Sequence, residues 1–177
     1  MQVYNGRPEN TDGRSPKEIN AYDLLDNLGI AYSRVDHLPA MTMEACVDID
    51  SHLGTSMCKN LFLCNRQKTE FYLVMMPGEK ALRTKDISSQ LDTSRLSFAD
   101  AELMGELVGT TPGSLTVLDL MDDTENRVQL VIDEEILSAE YVGCHPRANT
   151  SSLKIKMSDL IEKLLPALGH HYITVRL

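Results

Sequence analysis

Asn60-Leu61-Phe62-Leu63-Cys64 and Phe71-Tyr72-Leu73-Val74-Met75-Met76, joined by the polar link Asn65-Arg66-Gln67-Lys68-Thr69-Glu70, are the stretch on which the fold turns. Both runs are apolar and rich in residues that suit a pleated surface, so the link reads as the turn of a β-hairpin. Outward from it, helical and strand patterns mix without the regular strand-helix-strand alternation of a parallel α/β sheet. That order predicts an α+β fold, a single domain with a mixed, largely antiparallel sheet and surrounding helices.

Towards the N-terminus, Thr42 to Leu53 reads as a helix stopped by Gly54 and Ala31 to Asp36 as a strand. Ser15-Pro16-Lys17-Glu18 supplies an N-cap serine, a proline at the first helical position and a glutamate placed to close a capping box. Ile19, Tyr22, Leu25 and Leu28 follow at helical spacing up to Gly29. Residues 1–14 are polar, contain Gly6, Pro8 and Gly13, and show no apolar periodicity. They are expected as a flexible N-terminal arm ahead of a domain spanning 15–177.

Towards the C-terminus, helices are expected near Thr84 to Leu91 and over Ser97 to Val108, with Gly109 as the stop. Leu115 to Leu120 and Val128 to Ile132 read as strands around an acidic loop, followed by a helical turn at Asp133 to Leu137. Strands at Tyr141-Val142 and Ser152 to Ile155 enclose the segment Gly143 to Ser151. An amphipathic helix from Ser158 and a short strand from Tyr172 to Arg176 close the chain.

With 42% hydrophobic and 24% charged residues among 177, the chain suits one core. No run approaches the ~20 apolar residues of a membrane span. Met1 to Pro8 also lacks a basic-then-apolar signal pattern, so a cytoplasmic location without a membrane partner is expected. Cys46, Cys58, Cys64 and Cys144 form no CxxC pair, which argues against structural zinc and disulfides. A net charge of −9 and a pI near 5.0 argue against DNA binding and against any broad basic face for nucleic acid. Basic residues still gather at Lys59-Arg66-Lys68 and Lys80-Arg83-Lys85, as solvated faces or as a local contact.

No G-x-S-x-G elbow, Walker-type loop, G-x-G-x-x-G or H-E-x-x-H occurs, which removes support for the common hydrolase, nucleotide and zinc-peptidase readings. Three other features remain, each with a plainer alternative. Lys59 opens an apolar strand and can reach a neighbouring cleft, or simply be solvated. Gly109-Thr110-Thr111-Pro112-Gly113-Ser114 offers two glycines, backbone donors and three hydroxyls, as a ligand cradle or as a tight turn. Gly143-Cys144-His145-Pro146-Arg147-Ala148-Asn149-Thr150-Ser151 presents a histidine from a proline-stiffened backbone, as a site or as a strand corner. Adjacent residues on an extended backbone point apart, so Cys144 and His145 are poorly placed as nucleophile and base.

Taken in order, Cys58-Lys59-Asn60-Leu61-Phe62-Leu63, the Gly109 to Ser114 loop and His145-Pro146-Arg147-Ala148-Asn149-Thr150 resemble the YbaK-like prolyl-tRNA editing family, over about Ser15 to Ile161. The nearest subgroup is the freestanding relatives of the editing insertion of bacterial prolyl-tRNA synthetase, which remove alanine from mischarged tRNA(Pro). The resemblance implies hydrolysis of an aminoacyl ester without metal, cofactor or covalent protein nucleophile. It implies a catalytic role for Lys59 at the acceptor end. It gives the Gly109 to Ser114 backbone to the carbonyl oxygen, and gives His145 and Asn149 the positioning of water, ribose or α-amino group. Asn60, Pro146 and Thr150 join the implied substrate-binding set. The implied partners are the acceptor end of tRNA(Pro) and prolyl-tRNA synthetase.

Arg147 departs from the family pattern, standing where an apolar residue is expected, which leaves the pocket wall open. Two other readings stand beside the deacylase. One is a non-catalytic amino-acid or aminoacyl-tRNA binding module on the same fold, and the other is a cysteine-dependent hydrolase.

Overall fold

The computed structural model describes residues 1–39 and 43–177. In chain order it contains β1 (Val3–Asn5), α1 (Pro16–Asn27), β2 (Tyr32–Asp36), α2 (Met43–Leu53), β3 (Cys58–Asn65), β4 (Phe71–Pro77), α3 (Thr84–Gln90) and β5 (Leu96–Phe98). There follow α4 (Ala101–Val108), a 3-10 helix (Val117–Asp122), β6 (Val128–Asp133), α5 (Glu134–Leu137), β7 (Tyr141–Cys144) and β8 (Ser151–Lys156). A closing helix runs through Met157–Asp159, a π-helical stretch Leu160–Leu164 and Leu165–Leu168, ahead of β9 (Tyr172–Val175). Among the described residues no helix is long and apolar enough to cross a membrane.

The strands form two sheets. One is four-stranded and antiparallel, in the order β1-β2-β8-β7. The other is five-stranded, β5-β3-β4-β6-β9, antiparallel up to β4 and parallel beyond it. The expected hairpin is its centre, with Cys58 to Cys64 opposite Pro77 to Phe71. Strand alternation divides the burial: Phe62, Leu73, Met75, Leu130 and Ile132 share a core with Val142, Leu153 and Ile155 of the other sheet and with Tyr22 and Leu25 of α1. Leu63, Val74 and Val131 face the opposite way, towards Ile87 and Val175. A third small cluster packs Val35 against Ile49 and Leu53 of α2.

Several local expectations change under tertiary contacts. Residues 1–14 are not a free arm: Val3–Asn5 pairs with Ser33 to Val35, and Arg14 is drawn inward to Glu18, Asp36 and Ser151. Ser15 caps α1 by accepting from the Glu18 N–H, while the Glu18 carboxylate turns to Arg14, Tyr22 and Ser151. The helix expected from Ser97 starts only at Ala101 behind an Asp100 N-cap, because Leu96–Phe98 pairs with Leu63 to Asn65. Leu115 to Leu120 does not form a strand. The Asp119 carboxylate accepts the Thr116 N–H at 2.9 Å, a local side-chain bond that closes a 3-10 turn over a β-prone run. Thr42, the expected start of the second helix, lies outside the described residues.

Candidate functional site

Among the described residues β5 pairs only with Leu63 to Asn65, and on that side no strand neighbours the first half of β3. Burial follows this division: Cys58 to Leu61 is half-buried and Phe62 to Asn65 fully buried. The half-buried residues line a cavity of about 330 Å³. Its other walls are Gly113 and Leu115 from the loop before the 3-10 helix, His145 and Asn149 from the turn between β7 and β8, and His37, Cys46, Ile49, Met57 and Ser152.

Gly143 brings these walls together. Met57 forms a parallel bridge to it, and the Gly143 N–H donates to the Ser56 carbonyl at 3.3 Å. A Cβ on Gly143 would lie 2.7 Å from the Ser56 carbonyl oxygen, closer than real side chains tolerate. Only the missing side chain lets the chain entering β3 lie against β7, which places Lys59 and Asn60 near His145. The Lys59 Nζ donates to the Lys80 carbonyl. Lys80 in turn pairs with Asp133 and Glu135.

The His145 carbonyl accepts from the Thr116 hydroxyl at 3.0 Å, which ties the turn to the 3-10 helix. Burial lowers the imidazole to about 4, opposed by a hydrogen bond with the Leu115 backbone and assisted by neighbouring His37. The ring is therefore neutral at pH 7. Its Nδ1 and the Asn60 Oδ1 are the two buried side-chain polar atoms without a hydrogen-bond partner among the described residues, and both residues line the cavity. Such atoms are rare in folded proteins, and two at one cavity make it a candidate place for a polar ligand or ordered water.

Of the residues singled out in the sequence, Lys59, Asn60, Gly113, His145 and Asn149 meet at this cavity. Gly109, Thr110, Thr111, Pro112, Ser114, Pro146 and Thr150 are absent from its wall. Gly109 ends α4 in the left-handed conformation, with its carbonyl taken by Lys17. Thr110 donates to the Ser114 carbonyl at 3.3 Å, and the Ser114 N–H donates to the Thr111 carbonyl at 3.0 Å, so these polar groups serve the turn itself. Pro146 is buried, and the Thr150 carbonyl accepts the His37 N–H at 2.9 Å. The loop thus reaches the cavity through Gly113, where φ is +85° and an added Cβ would meet open space.

Sequence reasoning missed His37, whose Nδ1 lies 2.7 Å from the Leu38 carbonyl and whose Nε2 lies 2.9 Å from the Ser152 hydroxyl. It also missed Cys46, Ile49, Met57, Leu115 and Ser152, which carry no motif and reach the cavity only through packing, and it gave no site role to Cys58 and Leu61, which flank Lys59 and Asn60 in the first motif. Burial pushes the Cys58 and Cys144 thiols up to about 12 and raises Cys46 as well, so none is a ready thiolate at neutral pH. Arg147 does not line the cavity; its side chain turns to Asp119 and Asp122.

Fold and cavity together define a two-sheet α+β domain with a small cavity of mixed polar and apolar lining, a candidate ligand site, where β3, the loop before the 3-10 helix and the β7–β8 turn converge. A family model described as the aminoacyl-tRNA editing domain matches residues 37–163, and the chain belongs to that family. It is 27% identical over 153 residues to "Prolyl-tRNA editing protein ProX" of Acetoanaerobium sticklandii, covering 86% of this chain and 93% of that one. It is 30% identical over 144 residues to "Prolyl-tRNA synthetase associated domain-containing protein 1" of Danio rerio, covering 80% and 78% respectively. A crystal structure solved as a candidate trans-editing enzyme for prolyl tRNA synthetase shares the fold, with a TM-score of 0.67 at 15% identity, covering 92% of this chain and 98% of that one.

Proposed function

We propose that the protein is a trans-editing aminoacyl-tRNA deacylase that hydrolyses the ester of mischarged tRNA(Pro), alanyl-tRNA(Pro) before others. The observation that carries this reading is the pair of unpartnered acceptors, Asn60 Oδ1 and His145 Nδ1, beside Lys59 at one cavity. With the His145 proton on Nε2 both atoms are acceptors and call for a ligand with donors, and an aminoacyl ester of a terminal ribose brings an α-ammonium and a free hydroxyl. Family membership and the likeness to a prolyl-tRNA editing protein support the same substrate class.

In this reading the neutral His145 accepts from the substrate and, with Asn149, orients ribose, ammonium and the attacking water. The Lys59 ammonium leaves the Lys80 carbonyl for the phosphate or ester of the acceptor end, a charge-assisted contact. The backbone at Gly113 approaches the carbonyl oxygen as it gains charge. An aminoacyl ester is activated, so positioning and charge stabilisation suffice without a thiolate, in keeping with the raised thiols. At about 330 Å³ the cavity lies at the small end of ligand sites, which suits a small acyl group. Proline is excluded by size, since clash rejects a larger side chain more firmly than a lost methylene rejects a smaller one. The acceptor end of tRNA(Pro) is the partner in the cytoplasm, with prolyl-tRNA synthetase delivering it, and a footprint of few phosphates is compatible with the net charge of −9.

Release of labelled amino acid from alanyl-, cysteinyl- and seryl-tRNA(Pro) tests the reading. Alanine is expected to be freed fastest, and Lys59→Ala to slow release by about 100-fold. Binding of alanyl-tRNA(Pro) without release of any amino acid would overturn the catalytic reading and leave a binding module.

A further inference from the structure

Arg147 occupies the middle of the His145 to Asn149 turn at φ +62°. Lys68, Asp92 and Asn126 also have positive φ, but these are exposed turn residues. The Arg147 side chain is only 2% exposed. Its Nε donates to Asp119 Oδ1 at 2.9 Å and its Nη2 to Asp122 Oδ2 at 2.5 Å. The second Asp119 oxygen accepts the Thr116 N–H, and the Thr116 hydroxyl donates to the His145 carbonyl. The contacts thus close a ring that leaves the turn at Arg147 and returns to it at His145. Asp122 also lies 3.6 Å from Lys17, whose ammonium holds the Gly109 carbonyl, so the loop that carries Gly113 is tied to the same group.

A left-handed backbone costs a non-glycine residue free energy, and a buried ion pair returns little net stability after desolvation. An arginine that bears both costs beside a candidate site is better accounted for by the geometry it imposes. We propose that Arg147 is a positioning residue, whose guanidinium, clamped between Asp119 and Asp122, holds the turn so that His145 and Asn149 face the ligand. Its kinetic consequence rests on the deacylase reading above, whereas its structural consequence does not.

Arg147→Gly removes the guanidinium and leaves a residue that adopts φ +62° freely. The variant is compared with the wild type by thermal melting, by NMR of the His145 ring, identified by its disappearance in His145→Gln, and by kcat and KM on alanyl-tRNA(Pro). The expected variant is folded, with moved His145 resonances and a midpoint rising from about 4 towards the ordinary value near ~6.5. Its kcat falls by about 10- to 100-fold, with KM changed by less than about threefold. Arg147→Lys, which keeps the charge but reaches one carboxylate at a time, falls between the two. A folded Arg147→Gly with the wild-type ring spectrum and kcat within about twofold overturns the proposal. Should Arg147→Gly fail to fold, the same readouts on Arg147→Lys decide, and wild-type values there overturn it. A wild type that releases no amino acid, beside a variant with a moved ring, sinks the deacylase reading and leaves the positioning role standing.

Discussion

Gly143 and Met57 lie so close that a Cβ on the glycine would sit 2.8 Å from the methionine Sδ and 2.9 Å from its Cα. This contact sets the distance between the chain that carries Lys59 and the turn that carries His145. Gly143→Ala is therefore expected to destabilise the fold by about 1–3 kcal/mol through overpacking. It should also push the cavity walls apart, and the loss of amino-acid release should exceed the loss of folded protein. Urea denaturation beside deacylation rates checks this, and a stable, fully active variant would show that the contact yields easily.

Asn60 Oδ1 is a buried acceptor at the cavity wall with no hydrogen-bond partner among the described residues. Asn60→Leu removes a desolvated polar atom that costs about 1–3 kcal/mol in such a setting, so stability should hold or rise. Release of alanine should fall by about tenfold or more, because the substrate loses its acceptor. A denaturation midpoint and a single-turnover rate, taken together, separate this outcome from simple misfolding.

His145 titrates near 4 in the fold, below the ~6.5 of an unfolded histidine. A depressed histidine favours the neutral form, so its contribution is fully present above pH ~6.5 and is lost as pH falls towards 4. The whole difference amounts to at most about 3 kcal/mol. Against the cost of burial, bonds from Arg34, Arg14 and Ser151 hold Asp36 well below the carboxylate range, so its own loss comes only at lower pH. Burial raises Asp119 to about 6, so it takes up a proton in the same window and opposes this loss. The share of His145 is therefore read as a difference, with the unfolding free energy of His145→Gln falling less in acid than that of the wild type between pH 7.5 and 4.

Arg14 joins the N-terminal segment to Glu18 and Asp36, with Glu18 only 3% exposed. Arg14→Ala leaves a buried carboxylate short of its cation and is expected to cost about 2–4 kcal/mol. Thermal melts of this variant would match the wild type if residues 1–14 were a loose arm after all.

Much of the architecture was legible because its causes are local. Ser15, Pro16 and the spacing of Ile19, Tyr22 and Leu25 specify a helix through capping and periodicity, and the runs around Asn65 to Glu70 specify a hairpin. Errors arose where a distant strand partner or a local side-chain bond outweighed propensity. Leu96–Phe98 pairs with β3 and delays a helix, and Asp119 folds a β-prone run into a 3-10 turn.

Residue types marked three separate segments, each with a plainer reading, and only the resemblance to the editing family joined them into a set that holds Lys59, Asn60, Gly113, His145 and Asn149 beside residues of the same segments that stay off the cavity wall. Tertiary structure alone decided which neighbours complete the cavity, adding His37 and Ser152 and leaving Thr110, Thr111 and Thr150 outside its wall. It also decided that Arg147 turns inward to Asp119 and Asp122. The reason is physical: a cavity forms where two backbones, here at Met57 and Gly143, pack within contact distance, and no local spacing encodes that approach.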